Sequence, residues 1–289
     1  MSNTIELAKS FVPKLDECYR LASLTSVLDG APELAKQGAN ANELIIPMMS
    51  MDGLADYSRN GGYVQGGVTM TNETVKCNFD RGRRFDVDVM DDLETAGLAF
   101  GRLSAQFIRD KVVPELDAFR FASYCGISGV TKKEETLADG AGTVAALSAA
   151  VTAMDDEEVT ATGRYLFITP TLLQGINDMD TTKSKKVLEG FEQVIKVPQR
   201  RFYTAIKQLS GKTGEEAGGY TKATGAANIN FAIVQKDALI QYTKHAAPKI
   251  IAPENNPDAD AYVFGYRMVG IAKAYKNMLS GMYFSHDKA

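Results

Sequence analysis

Histidine and cysteine are scarce in this chain, and neither is placed for chemistry. His245 and His286 are the two histidines among 289 residues. Neither has a partner at the spacing of a metal site or an acid–base pair, so a structural or surface role is expected of each. The three cysteines, Cys18, Cys77 and Cys125, are odd in number and far apart. They provide neither a disulfide framework nor a zinc ligand set, and reduced, partly buried thiols are expected. No apolar run reaches transmembrane length, and the N-terminus MSNTIELAKSFVPKLDE lacks the basic-then-apolar order of a signal peptide. A cytoplasmic chain with no membrane contact is therefore expected. A net charge of −4 gives no global attraction to nucleic acid or to an acidic surface. No repeat of fixed period is present.

Glycine-loop and metal motifs are also missing. Gly140-Ala141-Gly142 opens a helix-like stretch, but TKKEETLAD before it is too polar for the buried strand that a dinucleotide site requires. Gly211-Lys212-Thr213 has Ile206 where a phosphate loop needs its first glycine. Asn256, Asp258 and Asp260 have the spacing of calcium ligands, yet Ala261 replaces the required glycine and Arg267 the bidentate glutamate. A polar turn is expected there. With no nucleophile elbow and no Cys-His pair, catalysis and cofactors are not expected; a chain of this size with no convergent chemistry points to action by binding itself.

What is present begins with a long amphipathic stretch from Asp91 to Gly129. Leu93, Ala96, Phe100, Leu103 and Phe107 recur at steps of three and four, and Val112, Val113, Leu116 and Phe119 continue the stripe. Asp91, Asp92 and Glu94 suit the positive end of a helix, and Gly126 or Gly129 can end it. The rod would be on the order of 50 Å long, with a kink where Pro114 cannot bond the carbonyl of Asp110. The chain's 45% hydrophobic and 24% charged content is that of an ordinary globular core large enough to cover such a spine.

Around it, residues 1–28 have helix-like apolar positions interrupted by Pro13, the pattern of an arm that docks on something, and 29–42 are a flexible connection. From Glu43 the pattern turns to strands: ELIIPMM, then a loop with two Gly-Gly pairs. Val75, Cys77 and Phe79 next alternate with polar residues, and after Asp80-Arg81-Gly82 so do Phe85, Val87 and Val89. This predicts a hairpin turning at 80–82, with one apolar face that needs cover from its own domain or a neighbouring subunit. Arg81, Arg83 and Arg84 form the sharpest basic cluster, read either as a solvated turn or as an intersubunit or phosphate contact. Further on, the pattern predicts a helix over 143–156, a buried strand over 165–168, and a helix capped by Thr169 with Pro170 first. Strands are expected at FEQVIKVP, RFYTAIKQL and INFAIVQ, with a Gly-rich surface loop over 211–228, a short helix at KDALIQYTKH, and long antiparallel strands over 260–284.

This order of parts resembles the major capsid proteins of tailed bacteriophages, a fold shared with encapsulin shells. The spine string VVPELDAFRFASYCG and the C-terminal YVFGYRMVGIAKAYKNMLSGMYF look like those of phage coat proteins. The resemblance implies an α+β chain with an N-terminal arm (1–42), an extended β-hairpin loop (43–89), a peripheral domain with the spine helix (90–129 and 231–289) and an axial domain (130–230). It implies self-assembly into hexamers and pentamers of an icosahedral head around double-stranded DNA, in a virion assembled in the host cytoplasm. A portal and, since the chain starts directly at the arm with Met1, a separate scaffolding protein are expected. Lys76, Arg81, Arg83, Arg84, Asp86 and Asp88 become candidate contacts of the extended loop between subunits, and Lys9, Lys14 and Arg20 candidate cations facing DNA phosphate. Some relatives cross-link a loop lysine to an asparagine; Lys76 and Asn277 are the candidate pair, but no glutamate lies near Asn277, so cross-linking is not expected. The alternative is an encapsulin-like nanocompartment holding a protein cargo.

Overall fold

The computed structural model describes residues 23–30, 36–37, 43–90 and 98–288. Lys9, Lys14, Arg20, Cys18 and the expected helix start at Asp91, Asp92, Leu93, Glu94 and Ala96 lie outside them. Strands β1 (Lys36–Gln37), β2 (Glu43–Met51) and β3 (Val68–Lys76) form an antiparallel ribbon, and β4 (Phe79–Asp88) follows two residues later. The spine consists of α1 (Leu98–Phe107), a π-helical turn (Ile108–Val112) and α2 (Val113–Cys125). Next come β5 (Thr131–Glu134), α3 (Gly140–Asp156), β6 (Arg164–Ile168), α4 (Pro170–Asp178), α5 (Thr182–Glu189) and β7 (Gln193–Lys196). The chain closes with β8 (Ile206–Gln208), β9 (Tyr220–Lys222), β10 (Ile229–Gln235), β11 (Leu239–Ile251), β12 (Ala261–Ala274) and β13 (Met282–His286).

The central sheet has the order β5-β13-β10-β6-β7. Two of its three inner strands, RYLFI and INFAIVQ, are buried at every position. They are covered on both faces, and strand geometry sends alternate residues to opposite cores. Leu166, Ile168, Phe231 and Ile233 meet Val144, Leu147 and Ala150 of α3. Phe167, Ala232 and Val234 meet Phe121 and Tyr124 of α2. The helix expected at 143–156 is α3, and Asp139 caps it by accepting from Gly142 N–H at 2.7 Å. Gly140 is explained by packing, because a Cβ there would stand 2.1 Å from the Gly175 carbonyl oxygen on α4.

A second sheet, β11-β12-β4, lies under the spine. Phe264, Tyr266 and Met268 share the face of β12 that packs on Ile108, Val113 and Leu116, as their alternation predicts. The spine is helical without interruption from Leu98 to Cys125, about 42 Å at 1.5 Å per residue. Pro114 is accommodated by the wider π turn just before it, where Val113 N–H bonds the Ile108 carbonyl five residues back. Gly126 follows the last turn, and Gly129 adopts the left-handed conformation at φ 91°.

Two expectations are corrected. KDALIQYTKH is not a helix: a short 3₁₀ turn (Lys236–Ala238) leads into the thirteen-residue strand β11. Pairing with β12 along its whole length overrides the local helix preference, and Pro248 is tolerated because β11 is an edge strand. The hairpin turning at Asp80-Arg81-Gly82 is also absent. Residues 79–88 form one strand paired to β12, and the chain changes partners at Cys77-Asn78. There the Asn78 side chain donates to the Ala272 carbonyl at 2.9 Å and accepts from its N–H at 3.0 Å, standing in for a strand residue. Alternation continues through both strands, so periodicity alone does not mark this break.

Gly82 serves close strand approach instead of a turn, since a Cβ there would lie 2.8 Å from the Tyr266 carbonyl oxygen. Gly82→Ala should therefore destabilise the chain by about 1–3 kcal/mol in a denaturant titration, the usual cost of overpacking. A change within about 0.5 kcal/mol would fit a surface turn and contradict the pairing.

Candidate functional site

The β2–β3 ribbon is the most exposed apolar element among the described residues. Met49 pairs opposite Met70 and Met51 opposite Val68, so all four share one face. Their exposures are 58, 64, 67 and 68% respectively, with nothing covering them. Ser50 and Thr69 pair on the opposite face. The tip is ordered. Ser58 and Gly62 exchange backbone hydrogen bonds, and Asp52 accepts from Gly67 N–H at 2.7 Å. On it stand Leu54, fully exposed, and the rings of Tyr57 and Tyr63, 4.9 Å apart. Lys76 closes the ribbon opposite Glu43.

The other candidate contacts lie on β4, away from the ribbon. Phe79, Arg81, Arg83 and Phe85 occupy alternate positions on the face toward the spine. Arg81 Nε meets Glu115 Oε1 of α2 at 2.8 Å, and its Nη2 donates to the carbonyls of Leu209 at 2.7 Å and Gly219 at 3.2 Å. Arg83 Nη2 donates to the Glu216 carbonyl at 2.8 Å. Two arginines thus hold the Gly-rich loop against the spine of the same chain. Arg84, Asp86 and Asp88 take the opposite face: Arg84 pairs with Asp86 at 2.8 Å, and Asp88 accepts from Met90 N–H at 2.8 Å.

Between β4, the spine and the loop carrying β8 and β9 lies an open cleft of about 710 Å³, lined by Phe85, Phe107, Tyr203 and Tyr220 and by Arg81, Arg83, Lys111, Arg200 and Lys222. The loop beside it is internally braced. Glu215 bonds Lys207 Nζ at 2.6 Å and accepts from Ser210 N–H at 2.7 Å. The Lys207 contact, then the Ser210 donors, hold its carboxyl down at about 2.

A second polar site escaped the sequence reading. Asp117, fully buried on α2, accepts from Ser23 Oγ at 2.9 Å, Thr25 Oγ1 at 2.7 Å, the N–H groups of Leu24 and Thr25, and Arg201 Nη1 at 3.2 Å. Buried Arg120, one turn on, donates to Thr25 Oγ1 at 2.9 Å, Asp29 Oδ1 at 3.1 Å and Thr243 Oγ1 at 3.3 Å. Tyr124 donates to Gln241 Oε1 at 2.6 Å, and Gln241 donates to the Thr25 carbonyl and to Asp29. The docking expected of the arm is, for residues 23–30, onto their own spine. The signal was Asp117, Arg120 and Tyr124 at steps of three and four inside an otherwise apolar stripe.

The rejected motifs have structural places. Lys212 N–H bonds Ser210 Oγ in an exposed turn, Asn256 accepts from Asp258 N–H in the turn between β11 and β12, and His286 contacts the Asp287 carbonyl. Among the described residues no group of three or more His, Cys, Asp or Glu side chains is arranged to hold a metal, and no helix is long and apolar enough to cross a membrane.

The architecture has known counterparts. A structure from Gordonia phage Cozz matches with a TM-score of 0.61 at 10% identity, over 93% of this chain and 87% of the other. The virus-like particle from Pyrococcus furiosus matches at 0.60 and 10% identity, over 97% and 99%. The capsid of cyanophage P-SCSP1u matches at 0.54 and 12% identity, over 87% and 85%. No protein-family model and no curated protein matches the sequence. The chain has the α+β fold of the tailed-phage major capsid proteins, preserved where sequence identity is not.

Two outcomes follow from these sites. Asp117→Ala leaves the partly buried Arg201 without its carboxylate and the buried Ser23 and Thr25 hydroxyls without their acceptor, and should cost about 3–5 kcal/mol in chemical unfolding. An effect below about 1 kcal/mol would mean that the network does not hold the arm. In an NMR titration Glu215 should protonate at about 2, and Lys207→Ala should return it toward the usual 4.5. A folded value below the unfolded one stabilises above the unfolded pKa, so this contribution persists at neutral pH and disappears as pH falls through about 2. A Glu215 midpoint near 4.5 in the unaltered chain would contradict the bracing.

Proposed function

We propose that this chain is the major coat protein of a tailed bacteriophage, assembling as hexamers and pentamers into an icosahedral head that encloses double-stranded DNA. The observation that carries the reading is the apolar ribbon, ordered and uncovered, on a chain with this fold. An isolated two-stranded ribbon is marginal in water, and one with four large apolar side chains on an open face calls for a partner surface. The partner that closed symmetry supplies is another copy of the chain. The braced loop of the axial region would lie toward the symmetry axis. DNA would be held through phosphate, without sequence readout, by the expected cations Lys9, Lys14 and Arg20. A scaffolding protein and a portal complete the expected partners, and the virion is the place of action. Catalysis has no part in this reading.

A second reading is an encapsulin-like shell around a protein cargo, and the match to a virus-like particle over nearly both whole chains suits a shell with either content. Electron microscopy of nuclease-treated material from producing cells separates the two. Uniform shells with protected DNA support the phage head, protein-filled shells support the nanocompartment, and a monomer without particles contradicts both. Within either, Leu54→Asp combined with Met51→Asp should abolish particles while leaving monomer stability within about 0.5 kcal/mol, because both sites are exposed on the ribbon. Normal particle yield from that variant would contradict the role of the ribbon.

A further inference from the structure

We infer that Asn60, at the ribbon tip, is a site of spontaneous covalent modification, in which the chain's own backbone converts its carboxamide to aspartate or isoaspartate. The chemical step stands without the shell-assembly reading; its consequence for assembly rests on that reading.

Asn60 is the one asparagine of the chain that is followed by glycine. The Gly61 nitrogen attacks Asn60 Cγ to form a cyclic succinimide, and the Cγ–Nδ2 bond breaks as ammonia leaves with the proton given up by Gly61. Water then opens the ring. Cleavage at Cγ leaves aspartate in a normal backbone, whereas cleavage at the former main-chain carbonyl leaves isoaspartate, whose main chain is longer by a methylene. The balance is amide plus water to carboxylic acid plus ammonia, with no oxidant and no cofactor. A β-carbon on the following residue crowds the attacking nitrogen, and glycine has none.

The structure leaves the reacting groups open to water. Every residue from Met51 to Gly61 is exposed, and the Asn60 carboxamide has no hydrogen-bond partner among the described residues. Other asparagines are held: Asn78 bonds both backbone groups of Ala272, and Asn230 donates to the Glu135 carbonyl and to Ser285. Asn256 precedes Pro257, whose nitrogen carries no hydrogen to give up. At the tip, Gly61 N–H donates to Ser58 Oγ at 3.0 Å, inside a turn closed by backbone bonds of 2.7 and 3.3 Å between Ser58 and Gly62. Ring closure must take the Gly61 nitrogen from Ser58, so this contact is a brake. Either product adds a carboxylate to a tip that presents Leu54, Tyr57 and Tyr63, and isoaspartate also lengthens the closed turn. A charge there opposes burial of the tip. Under the shell-assembly reading, a free subunit therefore keeps an assembly-competent tip for a limited time.

The test incubates the purified full chain at mildly alkaline pH in heavy-oxygen water and maps its peptides by mass spectrometry. Residue 60 should convert to aspartate and isoaspartate carrying the heavy oxygen, while Asn78 and Asn230 stay unmodified. Gly61→Ala should slow the conversion roughly tenfold or more. That variant keeps the fold, since a Cβ at Gly61 would meet Ser58 Oγ at 3.4 Å and Ser58 Cβ at 3.7 Å, with no closer neighbour. Ser58→Ala should speed the conversion roughly threefold, the worth of a modest hydrogen bond. Conversion only after unfolding, or at an unchanged rate in Gly61→Ala, overturns the modification site; a rate unchanged or lowered in Ser58→Ala overturns the brake. Asn60→Asp should lower particle yield. An unchanged yield overturns the consequence for assembly and leaves the modification standing. Failure of the unaltered chain to form particles overturns the shell reading and that consequence together, with the chemistry still decided on the free chain.

Discussion

Burial of Asp117 and Arg120 in the middle of the spine is the constraint on which the subunit depends. Two opposite charges on one helix, a turn apart, are taken out of water, and such burial is favourable only when every remaining donor and acceptor is met. Ser23, Leu24, Thr25 and Asp29, with Arg201 and Thr243, meet them from three distant parts of the chain. Among the described residues the one buried side-chain nitrogen or oxygen without a partner is Arg201 Nε. The network fixes where residues 23–30 sit and ties the spine to β11 and to the turn that carries Arg201. Around it the helix packs Phe121 against Phe167 and Phe202 on one side, and Ile108 and Val113 against β12 on the other.

With the body fixed in this way, the ribbon is the element left unpaid for by its own chain. Covering a large apolar side chain is worth about 1.5–3 kcal/mol, so the four on its face supply roughly 6–12 kcal/mol. Association costs an estimated 4–15 kcal/mol per contact formed in solution. One ribbon contact is therefore marginal by itself. Within a closed assembly each further contact is made between partners already held near one another, and marginal contacts become sufficient. Under the proposed assembly, a subunit stable alone and a shell stable only as a whole would follow from the same numbers.

Much of this was legible in the sequence because it is periodic. The spine, the α3 helix, the buried strands RYLFI and INFAIVQ and the spine-facing side of β12 all follow from spacing alone. What was not legible depends on pairing between distant segments. Val75, Cys77 and Phe79 keep one phase straight across the break, so nothing in their period reveals that Lys76 ends one sheet and Phe79 begins another. The partner change is made by the Asn78 side chain, and Gly82, a natural turn residue, is required for contact with Tyr266. The Arg81 and Arg83 cluster was visible, but its anchoring of the loop within one chain was not. Its carbonyl partners, at Leu209, Glu216 and Gly219, lie more than a hundred residues away and have no side-chain signature.

The central claim is that another copy covers the apolar face of the ribbon. Methionine oxidation measures this directly, since thioether reactivity follows exposure. Met49, Met51 and Met70 should oxidise readily in dissociated subunits, as should Met90, exposed just beyond β4, and the three ribbon methionines should be strongly protected in assembled particles. Equal oxidation of the three ribbon methionines before and after assembly would contradict the account.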